Sequence, residues 1–399
     1  MPNDTLGRKR KKLFCILLAS SYLCSIMQEF AYYQSFTNIP MRKSIIFLLA
    51  LICTTVQAQR SMSLDQISDG WKSKNIKVNK GGKAPNILQL TSAFQHAWPT
   101  YSGSELMKFS RSKVKYENTD KVVDIKNGYM TYSEDDPDAE SDEFLTTCVW
   151  RRQNGHSLFA VTLSRMTPSE MVVLCFYDYD PKSQMLVPEQ SLSNLFEPSF
   201  PGYRYRVFLP QIGKNLCIEE FFGYITIKHT YDWDGMKPVN PKTTLDQLSM
   251  CKGTFYAEYP VEDEPSFTQY TMLDIDQDGA PELLLRSDDG TYMAAFSVRL
   301  TLNLLGGQDG KRQLSFYKNA VCSSGSSDAQ SLSSDYVFLE ESSPKSYFKI
   351  YQGWDHVQDR LGGKTYFLDG KNISVAQGKE IIESLGAPAD MNLQWKKLN

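Results

Sequence analysis

The sequence predicts a mainly β protein of the α+β class, built from antiparallel strands and hairpins with a few short helices. Aromatic residues make up 12% of the chain, with 22 Tyr and 21 Phe, and aromatic side chains are enriched in strands. Short apolar runs recur between turn residues, as in residues 122–132, where Asn127-Gly128 separates two of them. Helical spacing is confined to short stretches near residues 91–109 and 374–385.

Length and composition are those of an ordinary globular protein. The chain has 399 residues, of which 41% are hydrophobic and 22% are charged. This length suggests two domains or one large β domain. The formal net charge is −3, and no basic patch interleaved with aromatic residues is present, so we expect no nucleic-acid partner.

Residues 41–58 have the three parts of a secretory signal peptide. A basic start at Arg42-Lys43 precedes an apolar run over residues 44–56, and small residues end at Ala58. We expect cleavage after Ala58 and an exported product, located in the periplasm, on the cell surface or outside the cell. The apolar run is too short to favour a membrane-crossing helix, so we expect no stable membrane span in the mature chain.

A second basic and apolar pattern, over residues 8–27, lies upstream of this signal. Two tandem export signals make little physical sense. We therefore expect translation to start at Met41, with residues 1–40 a misassigned upstream segment. The alternative is a genuine anchoring helix over residues 13–27.

The mature chain divides into three regions. Residues 59–120 form a polar lead-in with short helices, which Pro99 interrupts. Residues 121–262 and residues 263–399 are each rich in predicted strands, and the second of these regions ends in a helix that Ser374 would cap.

Three polar segments are predicted to lie outside strands. The acidic run 133–143 is interpreted as a solvated loop, with a second cation site or a partner-binding tail as the alternatives. Residues 306–310 are predicted to form a turn, and the serine-rich residues 323–334 have a flexible composition.

The mature chain has an odd number of cysteines, so at least one is unpaired in a monomer. No C-x-x-C spacing suggests zinc or redox chemistry. We expect small buried hydrophobic side chains rather than disulfides at Cys148, Cys175, Cys217, Cys251 and Cys322.

Residues 270–286 have spacing that calls for a specific chemistry. Three aspartates stand at alternate positions and are followed by Gly279, which permits a sharp turn. Calcium takes several oxygen ligands, and a D-x-D-x-D run supplies them as the chain curls around the ion. We predict a calcium site formed by four carboxylates and one backbone carbonyl, from Asp274, Asp276, Asp278, Ala280 and Glu282.

The loop differs from an EF-hand because position twelve, where that motif has a bidentate Glu, is Leu285. The short apolar run that begins at Glu282 predicts a strand, so we expect a strand–loop–strand arrangement.

Residues 274–285, DIDQDGAPELLL, resemble the D-x-D-x-D-G-x-x-[DE] loop of FG-GAP and VCBS-type repeats. That resemblance implies calcium bound between strands in a secreted bacterial protein. It also implies a propeller-like sheet arrangement, although a propeller would repeat the loop and this chain has one clean copy. The alternative is an Asp-rich hairpin turn without an ion.

No catalytic motif is present. The four histidines form no H-E-x-x-H, and G-x-S-x-G and phosphate-binding glycine loops are absent from the sequence. His229 is expected to be a structural or surface residue. The aromatic segments 201–208 and 347–354 could stack on sugars, but we favour strand packing.

The preferred hypothesis is an exported, non-catalytic protein that binds a glycan or an extracellular protein. The alternative is an exported hydrolase acting on polysaccharide or peptide.

Overall fold

The computed structural model describes one compact part of the chain, within Met62–Asn399. The described residues are 64–111, 121–133, 142–166, 171–192, 195–261, 264–328, 330–355, 357–358, 360–389 and 391–399. The predicted upstream segment 1–40 and signal peptide 41–58 lie outside them, as do most of the acidic run 133–143 and His356. The division of the mature chain into regions stays a prediction.

The described residues form four antiparallel sheets and five short α-helices, which confirms the predicted mainly β fold. The sheets contain seven, four, five and seven strands, and they do not repeat the four-stranded blades of a propeller. Within the described residues, no helix is both long enough and apolar enough to cross a membrane.

Sheet 1 lies under three helices, α1 (Leu64–Trp71), α2 (Ile87–Ala97) and α3 (Tyr101–Arg111). Its strands are β1 (Ile76–Lys77), β2 (Lys121–Asp124), β3 (Tyr129–Ser133), β4 (Asp142–Arg151), β5 (Ser157–Met166), β6 (Met171–Asp180) and β7 (Met185–Pro188). They pair in the order β1-β7-β6-β5-β4-β3-β2.

The helices bury one face of sheet 1. Phe94 of α2 packs against Phe159 and Tyr177, with ring centroids 6.2 and 5.9 Å apart. Trp71 and Ile76 are also buried in this core. The segment predicted as a polar lead-in therefore contributes these two side chains to the core, where each fills space between helix and sheet.

Sheet 2 follows a short 3₁₀ helix, Gln190–Leu192. Its strands are β8 (Arg204–Phe208), β9 (Leu216–Phe222), β10 (Ile225–Trp233) and β11 (Pro238–Leu245), in the order β11-β10-β9-β8. One face of sheet 2 serves two cores. Leu216 and Ile218 pack on the second face of sheet 1, whereas Phe222 and Ile227 pack on sheet 3.

Sheet 3 comes after α4 (Leu248–Glu258) and is buried on both faces. Its strands are β12 (Gln269–Leu273), β13 (Glu282–Arg286), β14 (Tyr292–Ser297), β15 (Asn303–Asp309) and β23 (Lys396–Lys397), in the order β15-β14-β13-β12-β23. Leu283 and Leu285 contact sheet 2 and α4. Leu284 points the other way, into a core shared with sheet 4.

Sheet 4 packs on sheet 3 with one face and on α5 (Val375–Leu385) with the other. Its strands are β16 (Arg312–Tyr317), β17 (Ala320–Asp328), β18 (Ser331–Glu340), β19 (Ser343–Asp355), β21 (Thr365–Leu368) and β22 (Lys371–Ile373), with β20 (Arg360–Leu361) paired to β19. The helix predicted near the C-terminus is confirmed, and Ser374 caps it in a capping box with Gln377.

The turn predicted at residues 306–310 is wrong for residues 306–309, because residues 303–309 form β15 and the chain turns only at Gly310, where φ is 81°. A Cβ added at Gly307 would lie 2.6 Å from the ring of Phe255, and one at Gly306 would lie 2.9 Å from Leu314. These glycines therefore allow α4 and sheet 4 to approach the strand closely.

The serine-rich residues 323–334 also lie largely in strands, β17 and β18, apart from residue 329, which is not described. Ser323 and Ser333 are buried, and both hydroxyls accept hydrogen bonds from Arg312. The serine-rich composition indicated flexibility because composition alone does not show which polar side chains form hydrogen bonds in the folded protein.

All five cysteines of the described residues are free, and four are buried. The expectation of small buried side chains rather than disulfides is therefore confirmed for four of them, whereas Cys217 is only half-buried. Glu143, at the end of the acidic run, is buried beside Arg165 rather than solvated.

Two helical glycines give a matched test of this packing. A Cβ at Gly253 of α4 meets nothing within 4 Å, whereas one at Gly378 of α5 would lie 2.3 Å from the Tyr366 ring. We expect Gly253→Ala to stabilise the protein by about 0.5–1 kcal/mol through helix propensity. Gly378→Ala should destabilise it despite the same propensity gain. Urea unfolding measures both, and a stabilising Gly378→Ala would contradict the packing of α5.

Candidate metal centre

The acidic loop joins β12 to β13, which confirms the predicted strand–loop–strand arrangement. Leu273 and Glu282 form the last pair of the two strands. Gln277 and Gly279 have φ angles of 60° and 88°, and these left-handed conformations turn the chain back within a few residues. Glycine suits position 279 because of its backbone freedom. Lack of space is not the reason, since a Cβ added there would meet nothing within 4 Å.

Three carboxylates accept hydrogen bonds from backbone N–H groups of the loop itself and so shape it. Asp274 accepts from the N–H groups of Asp278 and Gly279, at 3.1 and 3.0 Å. Asp278 accepts from Ala280 N–H at 2.8 Å. Glu282 Oε2 accepts from Ile275 N–H at 2.8 Å. These carboxylates therefore stabilise the shape of the loop, and only some of their oxygens take part in these hydrogen bonds.

Asp274, Asp276 and Glu282 form a group that could hold a cation. Each offers one carboxylate oxygen, and these atoms lie within 4.8 Å of one another. Glu282 is fully buried. Its Oε1, like Oδ1 of Asp276, is buried without a hydrogen-bond partner in the described structure. Buried charges without partners are costly unless they are neutralised.

Two predicted ligands lie beside this group but have other partners. Asp278 Oδ2 accepts from Arg299 Nη1 at 3.0 Å. The Ala280 carbonyl lies 2.9 Å from Ser342 Oγ. The structure therefore brings together three of the four predicted carboxylates, and it places Asp278 and Ala280 in contact with residues of the β14–β15 loop and the β18–β19 turn.

The electrostatics of the loop favour a positive charge. Burial raises the pKa of Glu282 to about 8, and the charge of Asp276 adds to the effect. Burial also raises the pKa of Asp276, together with the charges of Asp278 and Asp274. A cation among these oxygens would act in the opposite direction and favour the ionised carboxylates.

The tip of the β18–β19 hairpin contacts the loop from sheet 4. Glu341 and Ser342 form its two-residue turn, with φ of 51° and 54°. Ser342 N–H donates to Asp276 Oδ2 at 2.8 Å, and its Oγ lies 3.0 Å from Asp278 Oδ1. Ser342 is buried and its carbonyl accepts a hydrogen bond from Ser297 Oγ. The acidic loop is therefore a junction between sheets 3 and 4.

Sequence reasoning missed Ser342 and Arg299. Ser342 lies 66 residues beyond Asp276, and Arg299 contacts both Asp278 and the Glu341 carbonyl. The available signal was the two-residue link Glu341-Ser342 between two apolar strands. That link predicts a hairpin, but it does not show where the hairpin docks.

A second buried polar group lies between sheets 2 and 3, and its order differs from that of a catalytic triad. Ser199 Oγ and His229 Nε2 both bond to Glu220 Oε2, at 2.7 and 2.8 Å. In a triad the histidine lies between the serine and the carboxylate, whereas here the carboxylate lies between the other two. His229 is buried, as expected of a structural residue.

No protein-family model matches the chain, and a comparison with curated proteins gives no match. The resemblance to FG-GAP and VCBS-type loops therefore rests on residues 274–285 alone and stays a prediction.

The buried carboxyl makes stability depend on pH when metal is removed. The raised pKa of Glu282 means that the folded state binds a proton more tightly than the unfolded state, whose pKa is near 4.5. Its stabilising effect is complete below that value and is lost as pH rises towards about 8. In EDTA, the free energy of unfolding should therefore fall across this range, and Glu282→Gln should flatten the fall. Urea unfolding at several pH values measures this, and equal slopes would contradict it.

The hairpin contact has its own test. Ser342→Gly keeps the left-handed backbone and the N–H group but removes the Oγ contacts to Asp278 and Ala280. We expect a loss of about 1–2 kcal/mol of unfolding free energy, because buried acceptors lose a donor. Glu341→Gly is the control, since its φ is also positive and the side chain is exposed. Equal effects of the two substitutions in urea unfolding would contradict the proposed role of the hydroxyl.

Proposed function

We propose that the protein is exported and holds one calcium ion in the loop of residues 274–282, where the ion braces sheet 3 against the hairpin tip of sheet 4. The observation that carries this proposal is the fully buried Glu282, whose unpartnered Oε1 lies among the oxygens of Asp274 and Asp276. Either a proton or a cation can neutralise this carboxylate, and a cation would neutralise its neighbours as well.

The chemistry of the donors favours calcium over other metals. The group contains only carboxylate oxygens, which are hard ligands, and no His or Cys of the described residues joins it. Zinc sites are rich in His and Cys. Magnesium demands near-ideal octahedral geometry, whereas calcium accepts irregular sets of oxygen ligands from flexible loops.

The ion would have a structural role. Asp276 and Asp278 already bond to Ser342 of the opposing hairpin, so fixing these carboxylates also fixes the hairpin tip. Extracellular calcium modules bind with Kd values of about 10⁻⁴–10⁻³ M, which suits the exported location that residues 41–58 predict. In this proposal the protein is non-catalytic and binds a glycan or an extracellular protein on surfaces that the calcium site braces.

The alternative function is an exported hydrolase acting on polysaccharide or peptide. Ser199, Glu220 and His229 are the nearest candidates, but the shared carboxylate oxygen separates the serine from the histidine. No other observation within the described residues favours a hydrolase, so this alternative has less support.

Calcium should stabilise the protein. A ligand that binds only the folded state adds RT ln(1 + [L]/Kd), which is about 2.7 kcal/mol at a hundredfold excess over Kd. We expect thermal unfolding to occur at a higher temperature in millimolar calcium than in EDTA. Isothermal titration calorimetry should find one ion per chain.

Asp276→Ala should abolish the calcium response. Asp234→Ala is the matched control, because Asp234 also shapes a loop by accepting from the N–H groups of Met236 and Lys237 at 2.7 Å. That variant should lose some stability and keep the calcium increment. An unchanged melting temperature of the wild-type protein at several millimolar calcium would contradict the proposal, and the loop would then be an Asp-rich turn.

A further inference from the structure

One face of β19 presents aromatic side chains that no described element covers. Phe348 and Ile350 are buried on the face that packs on α5. Tyr347 and Tyr351 alternate with them and are 55% and 38% exposed. The favoured interpretation of segment 347–354, strand packing, therefore holds for one face of the strand, while aromatic rings on the opposite face remain accessible to solvent.

Neighbouring strands extend this surface into a shallow groove. Phe367 of β21 pairs with Lys349 of β19, and Asp335 of β18 pairs with it on the other side. Paired residues of antiparallel strands share a face, so these side chains stand beside the two tyrosines. The aromatic groove has a volume of about 390 Å³, and its lining includes Asp335, Tyr347, Lys349, Tyr351, Phe367 and Gly370.

The strand that carries the rings has a well-defined backbone. A Cβ added at Gly353 would lie 3.3 Å from the ring of Tyr351, so this ring lies over the glycine along the sheet surface. The Tyr347 backbone N–H donates to Asp369 Oδ1, and the Tyr347 carbonyl accepts from the Asp369 N–H, both at 2.8 Å. Rings on rigid strands lose little conformational entropy when a ligand stacks on them.

Polar groups beside the rings supply both kinds of hydrogen-bonding partner. Lys349 Nζ lies 3.2 Å from Asp335 Oδ1, and Arg312 bonds to the other oxygen of Asp335. The acidic charge of the groove is therefore balanced by cations. A sugar ring has an apolar face that stacks on aromatic rings and hydroxyl groups at its rim that need donors and acceptors, so a neutral carbohydrate complements this surface.

The size of the aromatic groove also favours such a ligand. Small-molecule sites commonly have volumes of about 300–1,000 Å³, and a groove of about 390 Å³ falls in that range. A stable protein interface buries about 800 Å² on each partner, which a strip of three aromatic side chains does not offer.

We propose that the aromatic groove binds a neutral carbohydrate chain, whose sugar rings stack on Tyr347 and Tyr351. The inference rests on the binding role in the proposed function and names its ligand class and its site. It does not depend on the calcium ion, although Ser342 at the calcium loop directly precedes the strand that carries both tyrosines.

The test is electrophoresis of the purified protein through native gels that contain xylan, hydroxyethylcellulose, laminarin or dextran. At least one polysaccharide should retard the wild-type protein. Tyr347→Ala and Tyr351→Ala should each weaken the apparent affinity about tenfold, and Tyr351→Phe should retain binding because it keeps the ring. Tyr224→Ala and Tyr256→Ala are matched controls, since these residues are 41% and 44% exposed on other elements, and both should bind as the wild type does.

The outcomes separate this inference from the calcium proposal. A protein that binds calcium but is retarded by none of these polysaccharides overturns the inference and leaves the calcium site intact. Retardation without any calcium response supports the inference and overturns the calcium site. Equal binding by all the alanine variants, or dimerisation that Tyr351→Ala abolishes, would overturn the groove as a carbohydrate site.

Discussion

The buried carboxylate of Glu282 is the constraint on which the junction between sheets 3 and 4 depends. The side chain begins β13 and is fully buried, so water cannot solvate its charge. One oxygen has a backbone donor and the other has no hydrogen-bond partner. Either a proton or a cation can stabilise this group, and the proposed calcium ion would also neutralise its aspartate neighbours.

The position of this carboxylate follows from the packing of sheet 3. Residues 283–285 are three consecutive leucines, and all three are buried because the strand packs on other layers with both faces. A loop attached to such a strand starts from a rigid position. The hairpin tip at Ser342 meets it there, and the acidic loop becomes the point where two cores are joined.

Strand β19 links this junction to the surface of the molecule. It starts next to Ser342, runs for 13 residues and carries the exposed tyrosines on one face and core residues on the other. The strand packs on α5 with one face and begins next to the residue that contacts the acidic loop. In the proposed function, this strand would connect the calcium loop to the carbohydrate groove.

The sequence by itself determined what depends on neighbouring residues: the mainly β class, the helix capped by Ser374, and a loop whose alternating aspartates and Gly279 belong to one turn. Tertiary structure alone decided which groups meet. Ser342 reaches Asp276 across 66 residues, Gly306 and Gly307 lie in a strand because bulky side chains pack on them, and His229 is buried beside Glu220. Spacing along the chain encodes local turns and periodicity, whereas contacts between sheets depend on how separate layers pack, and no short stretch of sequence contains that information.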